Sequence, residues 1–331
     1  MTVGRMKIGQ VGTGHAHAAG KMATLRKLSH RFEVVGIVEP SIERQEAHAD
    51  EDAYRGLRWM EEEELLETPG VQIVAVETTV DELVPTAARC IQAGVHVHLD
   101  KAPGESFAAF RDLLCEASRN NLVVQLGYMY RYNPAFQFLF RAVSEGWIGD
   151  IFEVHGVISK VADETLRREL RDCRGGSMFE LGCHLVDPLV TILGKPERVI
   201  PLVKKTRPER DDLADNMLAV FQFARATATL RSTLVEVDGA QRRQFVVCGD
   251  RGTVEIRPHE PPGVRLTLAE PCAEFRAGSQ SVRLPRMPGR YDDQLLDLAR
   301  VVNGEKENEY PAPHDLLVHE SLLRACALPI S

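Results

Sequence analysis

The pattern of apolar and polar positions opens with a βαβ unit. A short apolar run at residues 7–11 is followed by a glycine turn, an amphipathic segment and a second apolar run that ends at Glu39. In the amphipathic segment Ala18, Met22 and Leu25 recur at helical spacing, so one face of this helix can cover a sheet. This order predicts the start of a parallel β-sheet.

Single helices alternate with single strands as far as residue 126. The further predicted strands are 71–76, 95–99 and 122–126, and the predicted helices are 41–53, 61–66, 81–93 and 106–119. Such alternation is typical of a doubly wound α/β sheet, whose ligands bind at the carboxyl ends of the strands. We therefore predict a Rossmann domain over residues 1–126.

Strand-like runs replace this alternation in the rest of the chain. They lie at 151–157, 198–204, 217–223, 226–237, 244–248, 253–256 and 264–268. The turn sequences GDRG and EPPG separate the later runs, which indicates hairpins and a largely antiparallel sheet. Two helices, predicted at 291–302 and 313–328, close the chain. We predict an α+β domain over residues 127–331.

Length and composition fit two globular domains, because 331 residues with 44% hydrophobic content can fill two cores. A formal charge of −8, without a block of lysine or arginine, argues against nucleic acid as a partner. The seven cysteines are scattered and never form a CxxC pair, so we expect reduced thiols in a cytoplasmic protein and no zinc site. The first strand begins too early for a signal peptide, and no apolar run approaches the roughly 18 residues of a membrane helix.

The glycine turn carries the first candidate chemistry. Gly12 and Gly14 stand between strand and helix, where glycine lets the backbone approach a diphosphate that the helix N-terminus favours. His17 occupies the third glycine position of the motif, and an ordinary tight turn is the alternative interpretation. The strand that ends at Glu39 favours a dinucleotide site, because an acid there binds the ribose diol. No arginine follows Glu39 directly, which favours NAD over NADP, although Arg44 one helical turn later keeps NADP possible.

A lysine beyond a strand end is the second candidate. Lys101 follows the predicted strand 95–99 and would project into the crevice at the carboxyl ends of the strands. An exposed lysine is the simpler alternative. His96 and His98 share one face of that strand, but without a third ligand we expect them to be packed or hydrogen-bonded, not bound to metal.

The third candidate is the segment RGGSMFELGCHLVD at residues 174–187. Read as a helix entered from the Gly175 and Gly176 turn, it places Glu180, His184 and Asp187 on one face. A carboxylate one turn before a histidine can hold a ring N–H and fix the tautomer, as in an acid/base pair. A polar face turned to water is the alternative, but the interleaved apolar residues favour a packed helix. Pro188 is expected to bend or restart it.

Four motifs in this order resemble the glucose-fructose oxidoreductase, inositol dehydrogenase and rhizopine-catabolism family (Gfo/Idh/MocA). They are the glycine turn, AGVHVHLDKAP at 93–103, GYMYRYNPAF at 127–136 and GGSMFELGCHLVD at 175–187. The resemblance covers essentially the whole chain. It implies a Rossmann domain, a second domain whose open, mostly antiparallel sheet forms a homo-dimer or homo-tetramer, and NAD(P)-dependent oxidation or reduction of a sugar, cyclitol or related polyol.

The resemblance also implies roles for individual residues. Lys101 would hydrogen-bond the reacting hydroxyl, His184 would accept its proton, and Glu180 would orient His184. The residues implied to bind the cofactor are Gly12, Gly14, His15, Glu39, Thr78, Thr79 and Lys101. Those implied to bind the substrate are Tyr130, Arg131, Asn133 and Asp187. No metal is implied.

Several positions depart from the pattern of that family. Ala102 replaces the proline after the lysine, and Glu180 replaces an aspartate. Leu83 and Val80 stand where the family has its usual histidine and a common asparagine. These changes predict a divergent branch. Two alternatives stay open: an enzyme that uses tightly held NAD for glycoside cleavage, and a catalytically disabled NAD-binding regulator.

Overall fold

The computed structural model describes residues 4–171 and 173–330. The chain forms two compact units, each with its own β-sheet. The first consists of the chain up to Met129 together with Pro288–Leu316, and the second of Tyr130–Met287 together with the chain from Leu317 onward. Within the described ranges, none of the helices combines the length and the apolar character that crossing a membrane requires.

The first unit is built on five parallel strands, in the order β2-β1-β3-β4-β5. Their bounds are β1 (Met6–Val11), β2 (Phe32–Val38), β3 (Val71–Val76), β4 (His96–Leu99) and β5 (Val124–Leu126). Their side chains are largely buried, as in a parallel sheet covered by helices. The strand order reverses beside β1, and such a reversal opens a crevice at the carboxyl ends of the strands. The predicted Rossmann sheet is confirmed.

The helices of this sheet follow the predicted order. They are α1 (Ala18–Lys27), α2 (Ile42–His48), α3 (Glu62–Leu66), α4 (Val80–Gln92) and α5 (Phe107–Arg119). The Ser41 and Ser106 hydroxyls accept hydrogen bonds from backbone amides in the first turns of α2 and α5, which caps these helices. The prediction that α2 extends to residue 53 is wrong, because the chain leaves the helix at His48 and enters a series of turns.

The second unit contains an eight-stranded sheet in the order β13-β12-β11-β10-β6-β9-β8-β7. The strands are β6 (Ile151–Ser159), β7 (Arg198–Lys204), β8 (Asn216–Gln222), β9 (Thr227–Thr233), β10 (Gln244–Gly249), β11 (Gly252–Ile256), β12 (Val264–Leu268) and β13 (Gly278–Val282). All pairs are antiparallel except β6 with β9. The predicted mostly antiparallel sheet is confirmed, whereas β13 was not predicted because its sequence, GSQSV, lacks apolar alternation.

Helices α6 (Pro134–Ser144), α7 (Glu164–Glu169) and α8 (Cys183–Leu193) lie in the second unit. A π-helical turn at Met178–Gly182 leads into α8. The predicted helix, entered from the Gly175–Gly176 turn, is confirmed, with a π-helical turn in its first part and Pro188 inside α8. Two helices follow near the end of the chain, α9 (Asp292–Val302) and α10 (Ala312–Ala325).

A buried arginine connects α7 to the loop before β8. Arg167 is 3% exposed, and its guanidinium donates to Asp211 at 2.8 Å and to Asp215 at 3.0 Å. Asp215 is fully buried. A carboxylate in such a place is stable only while its partner remains, because removal of one partner leaves an uncompensated buried charge.

Replacing Arg167 should therefore destabilise the second unit. We expect Arg167→Met to lower the free energy of unfolding by about 3–5 kcal/mol. Arg141→Met is the matched control, because Arg141 pairs with Glu145 on the exposed surface of α6, and we expect a loss of less than about 0.5 kcal/mol. Urea unfolding of both variants measures the difference, and equal losses would contradict the assignment.

Candidate active site

The glycine turn after β1 is tightly packed. Gly12 has φ +93°, and a Cβ at this position would lie 2.7 Å from the Cα of Thr78. Glycine is required here both by its backbone conformation and by this close approach. The turn therefore lies against the residues that follow β3, which include Thr78 and Thr79.

Unused backbone donors mark the start of α1. The amides of Gly14 and Ala16 take part in no hydrogen bond among the described residues, whereas the amide of His15 donates to the carbonyl of Glu77 at 3.1 Å. Free amides at a helix N-terminus form an anion-binding arrangement. The turn thus fits the diphosphate of a dinucleotide.

Glu39 lies just beyond the end of β2 and holds the glycine turn. Its carboxylate accepts hydrogen bonds from the amide and the hydroxyl of Thr13, both at 2.7 Å, and from the amide of Ser41 at 3.0 Å. Arg44 lies 3.3 Å away and is 44% exposed at its side chain. Burial raises the pKa of Glu39, but these donors and Arg44 outweigh burial and hold that pKa below its usual value. Glu39 is therefore an ionised acceptor with several of its lone-pair positions in use.

A buried ammonium lies between two carboxylates at the carboxyl ends of the strands. Lys21, on α1, places its Nζ 2.8 Å from Glu77 Oε1 and 2.8 Å from Asp100 Oδ1, and all three side chains are fully buried. Burial lowers the pKa of Lys21, but the two carboxylates outweigh burial and raise it above its ordinary value. Lys21 is therefore charged.

Two histidines of the turn contact the same aspartate. The Nδ1 atoms of His15 and His17 face Asp100 Oδ2, with the His17 contact at 3.3 Å. Burial lowers the pKa of His17 to about 4, against the opposing effect of Asp100, so this imidazole is neutral at pH 7. Burial raises the pKa of Asp100, but His15, Lys21 and His17 hold it well below its usual range.

Lys101 follows Asp100 directly and is 2% exposed. The Lys101–Ala102 peptide bond is cis. On the preceding strand, His96 accepts a hydrogen bond from the amide of Val123 at 2.9 Å, and His98 lies 3.0 Å from the Gln125 side chain. These two histidines are hydrogen-bonded within the sheet, and Lys101 is a buried lysine at a strand end.

In the second unit, α8 carries two of the predicted site residues. Arg131 Nε donates one bifurcated hydrogen bond to the two oxygens of Asp187, at 3.0 and 3.2 Å, and Nη2 donates a second at 2.6 Å; both residues are 1% exposed. The His184 ring lies 5.3 Å from the Tyr130 ring, centroid to centroid. The structure thus brings His184, Asp187, Tyr130 and Arg131 together.

Tyr130 is held from two further sides. It stacks on Phe136 at a centroid distance of 4.7 Å, and its hydroxyl lies 3.3 Å from Nδ1 of His259. Burial is the main cause that lowers the pKa of His259 to about 3, so this imidazole is neutral. Asn133 caps α6 through the Ala135 amide at 2.9 Å and donates to the carbonyl of His259 at 3.1 Å. Asn133 therefore anchors the Tyr130 segment.

Glu180 lies in the π-helical turn before α8. Its Oε1 accepts a hydrogen bond from Lys160 at 3.1 Å. This turn is π-helical, with i to i+5 hydrogen bonds in place of the i to i+4 bonds of an α-helix. The structure assigns a lysine partner to Glu180 that the sequence pattern did not predict.

Three buried residues of these clusters were missed by sequence reasoning: Lys21, Glu77 and His259. For Lys21 a signal was available, because it lies on the same face of α1 as Ala18, Met22 and Leu25, which predicts a lysine turned toward the sheet. Glu77 directly follows an apolar strand, as Asp100 does. No local sequence pattern brings His259 next to Tyr130.

Comparison with known proteins identifies the family. Residues 6–128 match the oxidoreductase family with an NAD-binding Rossmann fold, and residues 136–255 match the GFO/IDH/MocA C-terminal domain. The chain belongs to the Gfo/Idh/MocA family. This Gfo/Idh/MocA protein is therefore an oxidoreductase with an NAD-binding Rossmann fold.

Curated relatives of this Gfo/Idh/MocA protein are distant. The uncharacterized oxidoreductase YdgJ of Escherichia coli is 24% identical over 277 residues, which cover 78% of this chain and 79% of that protein. A trans-1,2-dihydrobenzene-1,2-diol dehydrogenase of Xenopus tropicalis is 21% identical over 195 residues, which cover 59% of this chain and 58% of that enzyme.

Solved structures share the fold over nearly the whole chain. The aldose-aldose oxidoreductase of Caulobacter crescentus has a TM-score of 0.83 at 18% identity, and the UDP-N-acetylglucosamine 3-dehydrogenase of Acidithiobacillus ferrooxidans has a TM-score of 0.80 at 18% identity. Each match covers 98% of both chains.

The buried carboxylate of Glu77 predicts a pH dependence of stability. Burial, with the neighbouring Asp100 charge, raises the pKa of Glu77 to about 8. Above about pH 4.5 the folded protein then keeps a proton that the unfolded chain releases. The contribution of Glu77 to the free energy of unfolding is therefore present at low pH. It is lost as the pH rises toward 8, by up to about 1.4 kcal/mol per pH unit.

Urea unfolding between pH 5 and 8 tests this expectation. The free energy of unfolding of the wild type should fall relative to that of Glu77→Gln as the pH rises. Glu63→Gln, at an exposed position of α3, is the control and should follow the wild type at every pH. A constant difference between the wild type and Glu77→Gln would contradict the raised pKa.

Proposed function

We propose that this protein transfers a hydride between NAD and a sugar, cyclitol or related polyol. The observation that carries the proposal is a buried lysine, Lys101, two residues after the end of strand β4 in a Rossmann sheet whose glycine turn offers unused amides. A charged donor at such a strand end can stabilise the oxygen of a carbinol as it becomes a carbonyl.

The names of related proteins support this substrate class. The Xenopus relative is a dehydrogenase of a diol, and two proteins with the same fold are an aldose-aldose oxidoreductase and a dehydrogenase of UDP-N-acetylglucosamine. All three names describe oxidation at a carbon that bears oxygen. We infer the same reaction class for this chain and leave the individual sugar or polyol to experiment.

The cofactor would be held by the glycine turn and the residues beside it. We propose that Gly12, Gly14 and His15 bind the diphosphate and that Glu39 binds the adenosine ribose. The rest of the dinucleotide would lie along Thr78, Thr79 and Lys101. A bound nicotinamide would supply the position that accepts or donates the hydride.

The side chains of this protein would handle the proton. In the direction of oxidation, Lys101 donates a hydrogen bond to the substrate hydroxyl and stabilises negative charge on its oxygen, and His184 Nε2 or Nδ1 accepts the hydroxyl proton. Glu180, which is paired with Lys160, influences His184 through its charge. These three residues form our proposed catalytic set.

The remaining residues of the predicted site take supporting roles in this proposal. Tyr130 presents its ring beside His184 and is the best-placed of them to contact a substrate. Arg131, Asp187 and Asn133 are occupied by the contacts described above, so we propose that they hold Tyr130 and His184 in position. A substrate role for any of the three would require these buried contacts to open.

We propose further that residues 1–126 bind the cofactor and that residues 127–331 bind the substrate and form the oligomer. The eight-stranded sheet exposes large apolar side chains, including Phe152 on β6 and Leu202 on β7, each about half exposed. Such side chains are typical of a surface that a second copy of the chain covers. A homo-dimer or homo-tetramer through this sheet is therefore expected.

Replacement of Lys101 tests the reaction. Lys101→Ala should lower the turnover number at least roughly 1,000-fold, because a charged oxyanion donor is removed, and should change the dissociation constant of NAD less than about threefold. Lys27→Ala is the control, since Lys27 is a half-exposed lysine of the same unit. Turnover is measured as nicotinamide absorbance with a panel of sugars and cyclitols, and binding is measured by calorimetry.

Three results would contradict the proposal. One is a fully active Lys101→Ala variant. Another is glycoside cleavage without net reduction of added NAD⁺, which would indicate the transient-oxidation chemistry. The third is NAD binding without turnover on any member of the panel, which would indicate a regulatory protein.

Cofactor preference provides a second test. Glu39 is ionised and should repel the 2′-phosphate of NADP, so we expect the wild type to prefer NAD. The guanidinium of Arg44 is the neighbouring group that could bind this phosphate. Arg44→Ala should therefore lower kcat/KM for NADP about tenfold and leave that for NAD within about twofold.

Arg55→Ala is the matched control for this test, because Arg55 is an exposed arginine of the same unit that pairs with Asp52. Arg55→Ala should change kcat/KM for neither NAD nor NADP. A wild type that prefers NADP, or an equal loss with both cofactors in Arg44→Ala, would contradict the assignment of Glu39 and Arg44.

A further inference from the structure

The position of Lys21 is fixed by charge. Its side chain is completely buried, and its Nζ lies 2.8 Å from one oxygen of Asp100 and 2.8 Å from one oxygen of Glu77. Removing an ammonium from water costs several kcal/mol unless a buried opposite charge and further hydrogen-bond acceptors compensate it. The ammonium therefore stays between the two carboxyl groups, and they stay beside it.

The two carboxylates belong to different parts of the site. Glu77 follows β3 and accepts the amide hydrogen of His15 through its carbonyl oxygen, so it is attached to the glycine turn. Asp100 follows β4 and directly precedes Lys101. The single ammonium of Lys21 thus connects the turn proposed to bind the cofactor with the segment that carries the proposed catalytic lysine.

The charges make the contact to Asp100 the stronger of the two. Asp100 is ionised, whereas Glu77 retains a proton at neutral pH, because its raised pKa lies near 8. Lys21 and Asp100 therefore form the ion pair, and Glu77 completes it with a hydrogen bond. The other titratable groups that interact electrostatically with the cluster are His15, His17, Tyr54, His98 and Tyr291.

Space around Asp100 is closed as well. His15 and His17 contact Oδ2, and Lys21 contacts Oδ1. A Cβ on Gly127, at the end of β5, would lie 2.5 Å from Asp100 Oδ1 and 3.1 Å from Lys21 Nζ. The backbone at Gly127 therefore packs directly onto the ion pair and restricts the movement of Asp100.

We propose that Lys21 is a positioning residue for the reaction: it fixes Asp100 and thereby sets the place of the adjoining Lys101. This inference rests on the proposed function, which assigns the reaction role to Lys101. Lys21 itself, fully buried beneath the turn, contacts neither substrate nor cofactor in this proposal.

The first test replaces the ammonium by an apolar chain of similar length in the full-length protein. Lys21→Met should lower kcat at least roughly 100-fold, because small displacements of a reacting group carry losses of that size, while KM and the dissociation constant of NAD change less than about threefold. Lys27→Met is the matched control on the same helix, because Lys27 pairs with Asp292. It should leave kcat within about twofold.

A double-mutant cycle separates positioning from a general loss of structure. If Lys21 acts through Asp100, then Asp100→Asn and Lys21→Met should each lower kcat, and the double variant should be no worse than the more affected single variant. Multiplied losses in the double variant would show independent effects and overturn the proposal.

Gly127→Ala provides a variant that keeps every charge. Its methyl group would displace Asp100 Oδ1, so we expect a similar loss of kcat with little change in NAD binding. This variant tests the proposal if Lys21→Met fails to fold. Unchanged kcat in Gly127→Ala or in folded Lys21→Met, beside an inactive Lys101→Ala, would overturn the positioning role alone. A wild type without turnover on any substrate would overturn the proposed function and this inference together.

Discussion

The ion pair between Lys21 and Asp100 is the constraint on which the site of the first unit depends. Charges without access to water keep their places, because every displacement leaves one of them uncompensated. Lys21 lies on α1, the helix after the glycine turn. Its partners Glu77 and Asp100 follow strands β3 and β4. One ammonium thus fixes the carboxyl ends of β3 and β4 relative to the turn.

A buried ion pair also stabilises the second unit. Arg131 and Asp187 form a buried ion pair in which Nε and Nη2 both donate to the carboxylate. This pair attaches the Tyr130 segment to α8 and places Tyr130 beside His184. A planar guanidinium can donate from two nitrogens to one carboxylate. This contact therefore fixes the orientation of the two side chains as well as the distance between them. In both units a buried charge pair therefore stands next to a residue with a proposed role in the reaction.

The sequence predicts the sheets better than the side-chain contacts. Strong apolar periodicity located β3 and most strands of the second sheet, but polar β13 escaped because its residues do not alternate. The glycine turn was predictable, since Gly12 and Gly14 stand between an apolar strand and an amphipathic helix, and the positive φ of Gly12 agrees with this. The contacts of His259 with Tyr130 and of Glu180 with Lys160 were not, because they join residues distant in sequence.

Lys21 shows where sequence reasoning could have gone further. A lysine on the apolar face of α1 can be buried only if acidic side chains pair with it. The two acids that pair with Lys21, Glu77 and Asp100, each directly follow a predicted strand. The most direct measurement of the central claim is a pair of crystal structures, wild type and Lys21→Met. We predict that Asp100 and Lys101 shift by about 1 Å or more in the variant, a displacement large enough to disturb catalysis. Unchanged positions of both side chains would contradict the account.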